Sequence, residues 1–98
     1  MAFESGALDA TLAAAAGDDA ALLAELRNAF LDSARRQLDL LGRSRCDGNW
    51  AVAAMRLKGL AATFNAEEVM NLAQAALDGV PGDPAVIRQI DSALRKFA

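Results

Sequence analysis

Four stretches of the 98-residue chain place apolar side chains at helical spacing, with only short breakers between them. Residues three and four apart share one face of an α-helix, so such a stripe has to be buried against another element. The stretch from Trp50 to Phe64 is the most informative. Wound at about 100° per residue, it separates into two faces. Trp50, Ala53, Ala54, Leu57, Leu60, Ala61 and Phe64 fall on one side, an ordinary core-facing stripe. Ala51, Val52, Met55, Lys58, Gly59 and Ala62 fall on the other, centred on Met55. A solvent face normally carries long charged side chains, whereas this one is mostly small, with one Met beside one Lys. Gly59 costs about 1 kcal/mol relative to Ala inside a helix. Glycine kept on an outer face leaves room for something to come close.

The other stripes are read in the same way. Leu22, Leu23, Leu26, Phe30, Ser33, Ala34, Gln37, Leu38 and Leu41 form one from Ala20 to about Leu41, behind Asp18 and Asp19, which suit a helix N-terminus. The Arg35-Arg36 pair on its outer side reads as a solvated face, with Asp32 and Arg36 spaced for local pairing, in preference to a contact for an acidic partner. Gly42 to Asn49 is a linker, with Asp47 or Asn49 as the expected cap of the central helix. Asn65 is placed to end that helix in the left-handed conformation. Ala66 to Leu77 then turns Val69, Leu72, Ala73, Ala76 and Leu77 inward, with Glu67 and Glu68 in the first turn. After Gly79-Val80-Pro81-Gly82, Asp83-Pro84 is a strong helix start. The last stripe is Val86, Ile87, Ile90, Leu94 and Phe97, with Arg95 and Lys96 at its C-terminal end. A shorter Ala-rich stretch, Ala7 to Ala16, carries Leu8 and Leu12 and stops at Gly17, while residues 1–6 read as loose. The expected fold is all-α: one domain over residues 1–98, an antiparallel up-and-down four-helix bundle with a short additional N-terminal helix.

Several chemistries lack their residues. The chain has no His and one Cys, so the Glu-x-x-His ligand sets of metal-binding bundles cannot be built, and hydrolytic triads lack their usual base. No metal or cofactor is expected. The glycines form no phosphate loop. The lone Cys46 has no internal disulfide partner and reads as a spectator, although Arg43 and Arg45 are near in sequence. A net charge of -3 gives no electrostatic reason to bind nucleic acid or anionic lipid. No apolar run approaches the roughly 20 residues of a membrane span, and the first residues carry no signal-peptide pattern. A cytoplasmic, monomeric protein is the expectation.

One resemblance goes further. Met55-Arg56-Leu57-Lys58-Gly59 resembles the His-x-Leu-Lys-Gly signature of histidine-containing phosphotransfer domains, the four-helix carriers of bacterial phosphorelays. The likeness continues through Ala61-Ala62-Thr63-Phe64-Asn65-Ala66-Glu67-Glu68, and in helix order it covers the chain. In that family the first motif residue is the His that takes the phosphoryl group, the Lys favours the phosphate and the Gly admits the partner. Here Met55 occupies the His position, and a thioether forms no stable phosphoryl adduct. The resemblance therefore implies a non-catalytic relative that binds a response-regulator receiver domain or a sensor histidine kinase. Its partner-binding face would comprise Ala51, Met55, Arg56, Lys58, Gly59 and Ala62, with Gln74 leaning toward position 55 from the next helix. Two other readings stay open. One is an active carrier whose His was replaced by Met by design, and the other is a structural or dimerising helix bundle.

Overall fold

The computed structural model describes residues 2–97, which are helical with short connections and contain no strand. Its five helices are α1 (Ala2–Ala16), α2 (Ala20–Gly42), α3 (Asp47–Thr63), α4 (Glu67–Asp78) and α5 (Pro84–Arg95). α2 packs on α3, α3 on α4, α4 on α5 and α5 back on α2, and α1 lies against α2 and α4. No helix of the described residues is long and apolar enough to cross a membrane.

Local chemistry accounts for most of the boundaries. Asp19 caps α2 by accepting the Leu22 N–H at 3.0 Å, and Asp83 caps α5 by accepting the Ala85 N–H at 2.9 Å ahead of Pro84. Asn65 ends α3 at φ 60°. Around it the Ala66 N–H returns to the Ala61 carbonyl at 2.8 Å and the Asn65 N–H to Ala62 at 3.2 Å, the paired bonds of a Schellman turn. Gly17, at φ 65°, ends α1.

Two boundaries differ from expectation. α1 begins at Ala2 rather than Ala7, so residues 2–6 continue the helix; Met1 lies outside the described residues. At 15 residues α1 is longer than α4 or α5, each of 12. α3 starts at Asp47, and its cap is neither Asp47 nor Asn49 but Cys46, whose Sγ accepts the Asn49 N–H at 3.5 Å. Sulfur is a weak acceptor, which is why the oxygen-bearing neighbours are the better candidates on sequence alone. Asp47 instead occupies the first turn, where its charge meets the positive end of the helix dipole.

The core collects the predicted stripes. Phe30, Leu57, Val69, Ile90 and Leu94 are fully buried. Phe30 meets Phe64 at a ring separation of 5.2 Å and Phe97 edge-on at 6.1 Å, which ties α2 to the ends of α3 and α5. The Trp50 indole N–H donates to the buried Ala76 carbonyl at 2.8 Å, fastening the start of α3 to α4. Leu31 is buried although it lies off the expected stripe, and Leu22, on the stripe, is exposed. The geometry of α2 explains Leu22. Its 23 residues span about 35 Å against about 18 Å for α4 or α5, so its first turns outreach their neighbours and rely on α1 for cover.

Ion pairs cross between helices. Arg27 binds Asp9 of α1, and Lys96 reaches Glu68 at 3.0 Å. Asp91 on α5 takes both Arg35 at 3.0 Å and Arg95 at 2.8 Å. The expected Asp32–Arg36 pair is not formed among the described residues; Arg36 donates to the Ser33 hydroxyl at 3.2 Å instead.

Candidate partner-binding face

The inner face of α3 sets the rotation of the outer one. Trp50, Ala53, Ala54, Leu57 and Ala61 are buried, so the helix can turn neither way without exposing core. That orientation leaves Met55 62% exposed and Val52 46% exposed. Gly59, Ala62 and Arg56 are exposed beside them and Ala51 is half-buried. A Cβ built on Gly59 meets nothing within 4 Å, so no neighbour within the chain requires glycine there.

Lys58 has a side-chain partner within the chain. Half-buried, it donates from Nζ to Gln74 Oε1 at 2.5 Å, and Gln74 Nε2 donates in turn to Asp78 Oδ1 at 2.9 Å. Sequence places Gln74 leaning toward position 55, whereas its partners are the Lys58 ammonium, which it draws to the α4 flank of α3, and Asp78. The relay ends on a carboxylate, which favours the cation at its other end.

The chemistry of the face is that of contact. An exposed, unbranched thioether among small side chains offers polarizable area that adapts to another surface. It offers no proton to lose and no nitrogen to phosphorylate. Among the described residues no group of acidic, Cys or His side chains could hold a metal ion. Cys46 is exposed, and its sulfur is occupied in capping α3.

Arg35, read from sequence as solvated, is held by Asp91. The hydrogen bond from Arg35, followed by that from Arg95, keeps the Asp91 carboxyl below the ordinary carboxylate range. Sequence reasoning also missed a groove beside Val52. Leu40, at the end of α2, is 44% exposed and faces Val52 across a space of about 340 Å³ that Arg43 and Arg56 flank. Its visible signal was Leu40 itself, a leucine next to the apolar stripe of α2 and not on it.

No protein-family model matches the chain, and no curated protein or solved structure does so either.

Proposed function

We propose that the chain is a phosphotransfer-like module that binds without transferring. In this reading α2 to α5 form an antiparallel up-and-down four-helix bundle with α1 added to it. The module works in the cytoplasm, where its α3 face docks a response-regulator receiver domain or a sensor kinase of a phosphorelay. The observation that carries the reading is the outer face of α3: Met55 is 62% exposed between small residues, with open space at Gly59. Folding explains neither feature, and both suit a surface that another protein approaches closely. Met55 serves as the apolar anchor. Lys58, steadied by Gln74, faces the acidic pocket of a receiver, and Gly59, Ala51 and Ala62 keep the backbone within reach.

The test is an NMR titration of labelled protein with receiver domains from the same cell. Shifts clustered on Ala51, Met55, Lys58, Gly59 and Ala62 are expected, together with weakened binding by Met55→Glu at unchanged helicity. Unaltered affinity in that variant removes the face from the assignment. If concentration-dependent shifts appear on the same residues without any receiver, the face is a self-association surface. The retained Lys58–Gln74 contact also favours a check on the carrier reading. Phosphoryl uptake by a Met55→His variant from a phosphorylated receiver would show that only the imidazole is missing.

A further inference from the structure

We infer a second binding site, in the groove between the end of α2 and the first half of α3, for an acidic partner segment carrying an apolar side chain. This goes beyond the receiver reading, because the groove lies on the α2 flank of α3, across the helix from Lys58 and Gln74. It stands whether or not a receiver docks on Met55.

Two observations carry it. The first is the floor: Leu40 and Val52, 44% and 46% exposed, face each other across a space of about 340 Å³ over the buried Ala53. A single exposed aliphatic side chain is ordinary, but these two line one recess together. The second is charge. The charged residues that line the groove are Arg43 and Arg56, a net +2 on a chain whose net charge is -3. Arg43 and Arg56 stand at the groove with no carboxylate lining it. Arg56 has no ion pair among the described residues, and Arg43 has only a distant one, to Asp39 at 3.5 Å, with both side chains largely exposed. An exposed pair of that kind is readily exchanged for a better one.

The occupant follows from this chemistry. An apolar side chain fills the recess over Leu40 and Val52, and carboxylates on either side of it meet the two guanidinium groups, whose planar donors match carboxylate geometry. A nucleic acid would bring phosphates but would leave the apolar floor uncovered, against a chain of net charge -3. A bilayer cannot enter a recess between two helices.

The probe is a synthetic peptide with leucines set among glutamates and aspartates, followed by amide shifts of the labelled full chain and by fluorescence anisotropy at low and high salt. The expected shifts cluster on Leu40, Arg43, Val52 and Arg56. Arg43→Glu with Arg56→Glu should weaken binding by about tenfold or more, and Val52→Asp should weaken it as well. Arg88→Glu, a charge reversal on α5 that lies near Arg43 but outside the groove lining, should weaken it far less. All these side chains are exposed, and circular dichroism checks that each variant folds. Equal binding of a peptide with serine in place of leucine would overturn the site, as would an equal loss in Arg88→Glu. So would tighter binding at these residues by a single-stranded oligonucleotide or by phosphatidylserine vesicles.

Discussion

The two faces of α3 answer to different demands. On the inner face Leu57, Ala54 and Ala61 are fully buried, and Trp50 is both buried and hydrogen-bonded, so packing dictates each residue. On the outer face Met55, Gly59 and Ala62 are exposed, so packing dictates none of them, and helix propensity alone would replace Gly59. The contrast teaches where function has to be sought. A residue that folding does not need, or that folding would improve by changing, is where a test of function should start.

Substitutions across the two faces sharpen that contrast. The largest effect is expected from Leu57→Ala, which should cost about 2–5 kcal/mol by opening a cavity in the core, measured by urea unfolding. Gly59→Ala should act in the opposite direction and stabilise by about 0.5–1 kcal/mol, since open space receives the methyl group. The same variant should weaken receiver binding, so a stabilised protein with undiminished affinity would break the argument from Gly59. Met55→Glu should change stability by no more than about 0.5 kcal/mol; a larger loss would place Met55 with the packed residues.

A smaller effect concerns acid. Because Arg35 and Arg95 lower the Asp91 carboxyl in the folded protein, their contribution is present above the ordinary carboxylate range. It is lost as pH falls through the lowered folded value. Arg35→Gln should therefore flatten the acid limb of a plot of melting temperature against pH and leave a modest deficit near neutrality. An unchanged acid limb would show that the exposed pair carries no linkage.

Features encoded within a turn of helix were legible before the structure. Asp83-Pro84, Asn65 and the alternation of faces in α3 all rest on chemistry between near neighbours, and the structure places them where that chemistry requires. The Cys46 cap was hidden because Asp47 and Asn49 are stronger acceptors of the same kind of bond. Long-range pairings were hidden for another reason. Arg35 with Asp91, or Lys58 with Gln74, depends on the rotation of two helices about their axes, and apolar spacing constrains that rotation only coarsely. The exposure of Met55 and Gly59 on α3 was legible. The groove that Leu40 of α2 forms with Val52 was not, because it needs the relative placement of both helices.

The unequal lengths of the helices also bear on how the molecule opens. α1 brings Leu8 and Leu12 into the core, and the Asp9–Arg27 pair holds it to the part of α2 that outreaches the shorter helices. As the element at one end of the chain, α1 is expected to separate and rejoin while the remainder stays closed. Amide protons in α1 should therefore exchange with solvent through partial opening, at a free energy well below that of the amides around Leu57. Those are released only by global unfolding. The chain would then show two tiers of exchange protection, divided close to Gly17.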